Sequence, residues 1–361
     1  MIDPPLLVLD ALHSLVATPP VGPLALTPPP ATVPPEEVFR RLETWQARFV
    51  AGNAPRTVKA VRADWGQYIQ WCEGTRHPPL PASAEQLEAF LANAISRGRK
   101  RSTVDRYAYT VSLVHRGAGL PDPASDPTWK DRRKVLMRRL REAKANGTKQ
   151  AVQLTSAGVE EILATLRDTP HDLRDAAMLS LASDTLVRES ELVAVKVEHL
   201  EQDPESGHWN LRLPHSKVDQ EGKGTDRRYV SADTLARIRA WQAAADITTG
   251  FLFLPIGGRP KTTPDDMTQR RPHLEAPEVA RIFRRRARAA GVFNAERITG
   301  HSTRVGSAND LARDGATVLQ IQHAGGWKGE RQVIHYTEQS MAGRGAMARL
   351  REKHAAKEPD V

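Results

Sequence analysis

The spacing of apolar residues along the chain predicts a protein built mainly from α-helices. Val58, Val61, Trp65 and Ile69 recur at intervals of three and four, which places all four side chains on one face of a helix. Ser83, followed three residues later by Gln86, has the spacing of a capping box that begins another helix. Similar patterns predict helices at residues 83–95, 104–111, 127–144, 156–165, 173–185 and 276–290.

Shorter apolar runs in the second half predict a small sheet. The turn-forming residues 203–207 separate two predicted strands, and a polar loop at residues 218–224 precedes a third. The predicted strands are residues 193–197, 209–213 and 227–230. We therefore expect a mainly α fold, with a helical N-terminal domain and a mostly helical second domain that carries a small antiparallel sheet.

Proline content and charge patterns predict the domain boundaries. Residues 1–35 hold ten of the 26 prolines and are expected to form a disordered tail, since proline blocks helix formation. The remaining predicted segments are a helical domain at 36–145, a linker at 146–152, a second domain at 153–342, and a C-terminal helix and tail at 343–361.

The overall charge narrows the class of partner. A formal net charge of +9 over 361 residues favours a polyanion, either nucleic acid or an anionic surface. No apolar run is long enough to cross a membrane, and no Lys or Arg precedes Arg40, as the charged start of a signal peptide would require. Cys72 is the only cysteine, which excludes an intramolecular disulfide and suits a reducing cytoplasm.

One predicted helix carries a basic face. In residues 276–290, Val279, Ile282 and Phe283 form an apolar face, and Arg286 falls on that side, where we expect it to pair or snorkel. The opposite face and an earlier basic run give the DNA-binding candidates Arg281, Arg284, Arg285, Arg288, Arg99, Lys100 and Arg101. A merely solvated basic face remains the alternative.

The last quarter of the chain carries the residues suited to attack on a DNA phosphate. His301 and Arg304 lie three apart, on one helix face, and Trp327 and Tyr336 follow. Arginine, here also Arg188, presents a planar fork of donors that matches phosphate oxygens. A phenol has a pKa near 10, so it attacks a phosphate only where positive charge and a proton acceptor are close. Taken singly, each residue has an ordinary structural interpretation.

Two lysines are candidates for protonating a leaving oxygen. Lys217 lies at the end of a predicted strand, and Lys223 lies in the loop that follows. A solvated loop position is an equally good interpretation of either residue. The sequence has no CxxC, HExxH or Walker motif, so metal and nucleotide sites are not indicated.

Three motifs together resemble the tyrosine recombinases of the phage integrase family, and above all its Cre-type members. They are residues 300–308 (GHSTRVGSA), 324–327 (AGGW) and 345–350 (GAMARL). The resemblance covers nearly all of the chain after residue 35. Glu189 departs from it, because the family usually has an apolar residue beside the first arginine of the site.

The resemblance implies a role for each site residue. Tyr336 would be the nucleophile, His301 would assist proton transfer, and Lys217 would protonate the leaving 5′ oxygen. Glu191 would support the site. The residues that would bind the scissile phosphate are Arg188, Arg304 and Trp327. No metal, ATP or other cofactor is implied.

The family also implies a function and an assembly. We expect conservative site-specific DNA recombination through a 3′-phosphotyrosyl intermediate and a Holliday junction. The partner would be double-stranded DNA with inverted half-sites, bound by a dimer at one site and a tetramer in the synapse, with the C-terminal segment docked in trans. The expected location is the cytoplasm of a bacterium, with the gene on a chromosome, phage or plasmid. A non-catalytic DNA-binding regulator and type IB topoisomerase-like relaxation are the alternatives.

Overall fold

The computed structural model describes residues 33–143, 151–214, 226–257 and 273–341, together with Met347, Ala348, Leu350 and Arg351. The chain divides into two compact units, with the boundary between residues 149 and 150. The N-terminal tail, most of the linker and most of the C-terminal segment lie outside the described residues. Each unit has its own hydrophobic core.

The first unit is helical throughout its described part. Its α-helices are α1 (Pro35–Gly52), α2 (Pro55–Thr75), α3 (Ala84–Ser96), α4 (Arg101–Ala118) and α5 (Trp129–Glu142), with a 3₁₀ turn at Pro123–Ser125. Ser83 caps α3, because its hydroxyl accepts a hydrogen bond from the Gln86 amide at 3.2 Å. Val61, Trp65 and Ile69 are buried, as their spacing predicts. The predicted helices of this unit are therefore confirmed.

The second unit is mostly helical and carries the sheet. Its helices are α6 (Ser156–Leu163), α7 (Pro170–Thr185), α8 (Glu189–Leu192), α9 (Ala232–Ala245), α10 (Ala276–Ala289), α11 (Ser302–Arg313), α12 (Val318–Gly325) and α13 (Glu330–Met341). Short 3₁₀ turns occur at Val197–His199 and Ala295–Arg297. The strands are β1 (Leu200–Gln202), β2 (Trp209–Leu213) and β3 (Asp226–Val230).

The sheet confirms two predicted strands and corrects the third. The strands pair antiparallel in the order β1-β2-β3, with Leu211 opposite Leu200 on one side and Arg228 on the other. The predicted strand at residues 193–197 is wrong. Val195 is buried, but its amide donates to Leu192 O at 3.2 Å, as at the end of a helix. The apolar run there reflects burial rather than extended backbone, and the first strand begins only at Leu200.

Helix α11 lies in the interior of the second unit. Its residues from Ser302 to Asn309 are buried, including Arg304 at 2% exposure. The chain at Leu154 packs directly on this helix, where its amide donates to Ser302 O at 2.8 Å. A Cβ at Gly306 would overlap the Leu154 carbonyl, so a glycine is needed there. This packing places the polar residues of α11 against the loops around it.

A buried histidine makes the first unit sensitive to acid. His115 is fully buried; its Nδ1 lies 2.7 Å from Val111 O, and its Nε2 lies 2.9 Å from the Ala82 amide. The amide can only donate and the carbonyl can only accept, so the ring is neutral with its proton on Nδ1. Burial lowers the pKa of His115 from 6.5 to about 4.

We predict that the first unit loses stability between pH 6.5 and pH 4. As the pH falls, the unfolded chain binds a proton at His115 before the folded chain does, so protonation favours unfolding. The difference corresponds to about 3 kcal/mol of unfolding free energy. Urea denaturation, followed by tryptophan fluorescence at pH 7 and pH 4, measures it.

His115→Gln is the matched variant, because its amide oxygen can still accept from Ala82 but does not titrate. It should be less stable than the original chain at pH 7 and should lose less stability on acidification. Equal acid sensitivity in the two proteins would rule out His115 as the group responsible.

Candidate active site

The buried guanidinium of Arg304 joins two loops of the second unit. Its Nη1 donates to Leu186 O, and its Nη2 donates to Gly325 O at 2.9 Å. Leu186 follows α7, and Gly325 ends α12. Burial lowers the pKa of Arg304 to about 10, and the nearby charge of Arg188 contributes to that shift, so Arg304 remains cationic at neutral pH.

Trp327 covers one face of this guanidinium. The Arg304 Cζ lies 4.1 Å from the Trp327 ring centroid, which is within range of a cation–π interaction. Gly326 makes the turn that places the ring there, since its φ of 54° is in the left-handed region. Trp327 is 4% exposed, and its Nε1 is buried without a hydrogen-bond partner among the described residues. A buried donor of this kind needs an acceptor, which a bound ligand can supply.

Arg188 is held at the start of α8 by Glu191. Its Nη1 donates to Glu191 Oε1 at 2.6 Å, and its backbone amide donates to Glu191 Oε2 at 2.8 Å. The Arg188 side chain keeps 19% of its surface exposed, whereas Glu191 is buried. One carboxylate therefore fixes both the backbone and the guanidinium of a partly accessible arginine.

Tyr336 stands beside Trp327 on helix α13. The two ring centroids are 5.8 Å apart, with the ring planes at 60°. Asn309 on α11 donates to the Tyr336 carbonyl at 3.1 Å, and the tyrosine side chain is half-buried. The tyrosine is thus held by both the tryptophan and the helix that carries Arg304.

His301 precedes the first turn of α11 and is exposed. Partial burial lowers the pKa of its imidazole; the charge of Glu189 raises it, and those of Arg304 and Arg188 lower it. The net shift is downward, so the imidazole is neutral at pH 7 and can accept a proton. The structure thus brings Arg188, Glu191, His301, Arg304, Trp327 and Tyr336 together.

Arg228 is a buried cation of this region that the sequence analysis did not single out. It lies on β3 at 3% exposure and pairs with Asp226, with Nε 2.5 Å from Oδ1 and Nη2 2.8 Å from Oδ2. Its Nη1 donates to Ala324 O at 2.7 Å. The only signal in the sequence is the alternation of β3, which does not reveal a partner near residue 324.

Lys217 and Lys223 lie outside the described residues. They fall between the end of β2 at Leu213 and the start of β3 at Asp226. The choice between them as a proton donor therefore stays a prediction.

The basic face of α10 is only partly free to meet a ligand. Arg281, Arg285 and Arg288 are exposed, and each also contacts a carboxylate at 3.6, 3.0 and 2.6 Å, respectively. Arg284 is half-buried, and its Nη2 donates to Ile298 O at 3.0 Å. The three exposed arginines are therefore the better candidates for contact with a polyanion.

Other basic residues are either paired or exposed in the first unit. Arg286 pairs with Asp172 at 2.6 Å and Asp175 at 2.7 Å, so its expected pairing is confirmed. In the first unit, Arg99, Lys100 and Arg101 are exposed where α4 begins. This second run is open to solvent and belongs to a different unit from α10.

The described ranges hold neither a metal-binding cluster nor a membrane-spanning helix. No three His, Cys, Asp or Glu side chains gather there in a way that would hold a metal ion. None of the helices in the same ranges is long and apolar enough to cross a membrane.

The chain is similar to known recombinases. Residues 153–342 match the model of the phage integrase family. The recombinase cre of Escherichia phage P1 is 25% identical over 79% of this chain and 84% of its own length. An integrase/recombinase xerD homolog of Selenomonas ruminantium is 30% identical over 81% of this chain and 84% of its own length.

The fold is also similar to that of solved structures. The XerH site-specific recombinase bound to its difH substrate superposes with a TM-score of 0.57 at 14% identity, over 97% of this chain and 94% of that one.

We predict that Trp327→Phe costs less than about 1 kcal/mol of unfolding free energy, whereas Trp327→Ala costs about 3–5 kcal/mol. Phenylalanine keeps a ring against Arg304 and removes a buried donor that has no partner in the described structure. Urea denaturation of the three proteins measures the difference. If phenylalanine is as damaging as alanine, the indole N–H is hydrogen-bonded in the free protein.

Proposed function

Because this chain belongs to the phage integrase family of tyrosine recombinases, we propose that it cleaves and rejoins DNA strands at specific sites through a 3′-phosphotyrosyl intermediate. The observation that carries the proposal is the buried, unpartnered indole N–H of Trp327, which lies between the Arg304 guanidinium and the Tyr336 ring. A phosphate oxygen supplies the acceptor that this N–H lacks. The phosphate would then adjoin two cations and a phenol.

In the cleavage step, the Tyr336 oxygen attacks the scissile phosphorus. A bond forms between that oxygen and phosphorus, and the bond from phosphorus to the 5′ oxygen breaks. The phenol proton passes to the neutral imidazole of His301, and a lysine, Lys217 by our proposal, gives a proton to the leaving 5′ oxygen. No oxidant or nucleotide is needed, because the phosphodiester energy is kept in the phosphotyrosine.

The cations act on the charge that develops during this transfer. Arg304 and Arg188 offset the negative charge on the non-bridging oxygens, and the Trp327 N–H adds a neutral donor. Glu191 would hold the Arg188 fork in position, since it bonds both the guanidinium and the backbone amide. Rejoining follows when the 5′ hydroxyl of another strand attacks the phosphotyrosine, first giving a Holliday junction.

DNA binding would use basic surfaces of both units. The exposed Arg281, Arg285 and Arg288 are proposed to meet DNA from α10, while Arg284 acts mainly within the protein. Arg99, Lys100 and Arg101 would add phosphate contacts from the first unit. A DNA substrate of this kind implies action in the bacterial cytoplasm.

The proposed assembly follows the logic of paired cleavage. Two protomers would occupy inverted half-sites as a dimer, and two such sites would meet in a tetramer. We propose that residues 343–361 dock on a neighbouring protomer; Met347 and Leu350, which are exposed at 63% and 45%, would supply apolar contacts. A head-to-tail contact can close into a ring, which suits a cyclic tetramer.

A library of random duplexes tests the proposal for any target sequence. The protein is incubated with nicked duplexes, the mixture is quenched with SDS, and covalent complexes are isolated and sequenced. A recombinase enriches one sequence with two inverted half-sites. Covalent capture without enrichment would indicate relaxation of the type IB kind, and specific binding without capture would indicate a regulator.

We predict that Tyr336→Phe abolishes covalent capture and leaves DNA affinity within about threefold. The substitution removes the attacking oxygen but retains the ring beside Trp327, and affinity comes largely from phosphate contacts elsewhere. Gel-shift titration and SDS-resistant product measure the two quantities on the duplex enriched above. Continued capture by this variant would show that another residue is the nucleophile.

We predict that Lys217→Ala slows cleavage far more than Lys223→Ala. A general acid contributes about 10²–10⁴-fold, and a substrate with a 5′-bridging sulfur needs no proton on its leaving group. The sulfur substrate should therefore restore the cleavage rate of Lys217→Ala. A larger defect at Lys223, or a failed rescue at Lys217, would assign the proton donor elsewhere.

A further inference from the structure

Arg228 and the turn that carries Trp327 share one buried contact. The Arg228 Nη1 donates to Ala324 O at 2.7 Å, and Ala324 lies in the last turn of α12, just before the two glycines. A Cβ at Gly326 would come within 2.6 Å of the Arg228 Cζ. The guanidinium therefore fills the space beside Gly326 and bonds the residue two positions before it.

The other end of the contact is anchored in the sheet. Asp226 accepts from both Nε and Nη2 of Arg228, so the plane of the guanidinium is fixed relative to β3. At 3% exposure Arg228 is shielded from solvent. Because its Nη1 bonds a carbonyl of the Trp327 turn, the position of the guanidinium depends on strand and turn together.

We propose that Arg228 is a positioning residue for the strand-cleavage step, acting through the Trp327 turn. By bonding Ala324 and packing against Gly326, it sets where the turn presents Trp327 to the scissile phosphate. The same turn supplies Gly325 O to Arg304, so a shift of the turn would also disturb the second phosphate-binding cation. This inference rests on the proposed recombinase function.

Arg228→Lys is the informative substitution because it keeps the positive charge. A lysine ammonium cannot bond Asp226 with two parallel N–H groups and reach Ala324 at the same time. We expect single-turnover cleavage of the enriched duplex to fall about ten- to a hundredfold, since small displacements at a reacting centre have effects of that size. DNA affinity should change by less than about threefold.

Arg286→Lys is the matched control. Arg286 is also a partly buried arginine of the second unit that bonds two carboxylates, but it contacts Asp172 and Asp175 rather than the Trp327 turn. Its substitution should lower thermal stability without changing the cleavage rate below the unfolding temperature. If both variants lose cleavage equally, the Arg228 effect is a general loss of stability and the proposal fails.

A second measurement uses the free protein and needs no DNA. Hydrogen exchange should quicken at residues 322–328 in Arg228→Lys, because the turn amides of Gly326 and Trp327 depend on the position of α12. Arg286→Lys should leave that segment unchanged. Unaltered exchange in Arg228→Lys would overturn the proposal even if wild-type cleavage is never observed.

A double-mutant cycle with Gly326→Ala tests the contact itself. In the original chain the added methyl displaces the guanidinium, whereas in an Arg228→Ala background it meets open space and only the positive φ remains unfavourable. Gly326→Ala should therefore slow cleavage by a smaller factor in the Arg228→Ala background. Equal factors in the two backgrounds would show that the two residues act independently. Loss of cleavage in these variants while wild type reacts concerns Arg228, whereas absence of covalent capture in wild type would refute the proposed function.

Discussion

The arrangement of the site depends on one buried cation. Removing a guanidinium from water costs several kcal/mol unless it is paired and hydrogen-bonded, and Arg304 is 2% exposed. Its compensation comes from the carbonyls of Leu186 and Gly325 and from the Trp327 ring. These groups belong to loops that are far apart in the sequence, so Arg304 is satisfied only when the second unit is fully folded. The folded chain therefore cannot bury this arginine without also placing Arg188 and Trp327 beside it.

Charge repulsion explains what such a site lacks before substrate binds. Arg188 and Arg228 both lower the pKa of Arg304, after burial, and Glu191 only partly offsets them. A phosphodiester placed among these cations would reduce the repulsion, and the additional negative charge of the transition state would reduce it further. The electrostatic work of forming this cluster is done during folding, which is the physical meaning of preorganisation.

The helices were predictable because an amphipathic period records which side faces the core, and the motifs around Arg304 located most of the site. Other features depend on contacts between distant residues. The run at 193–197 is apolar because it is buried, yet its hydrogen bonds are helical. Arg284 has the same spacing as its exposed neighbours but bonds Ile298 O. Arg228 stands beside another arginine, and nothing in that pair indicates which one reaches Ala324, 96 residues away.

Glu189 gives this chain its own control of proton transfer. A Cβ at Gly300 would lie 2.8 Å from the Glu189 Cβ, so the acid packs against the residue before His301. Its charge raises the pKa of the imidazole, against the effect of burial and of the arginines. A bound phosphate would add negative charge beside the same ring and raise its pKa again. The imidazole would thus become a stronger proton acceptor when the phosphate that Tyr336 attacks is in place, which links base strength to substrate binding.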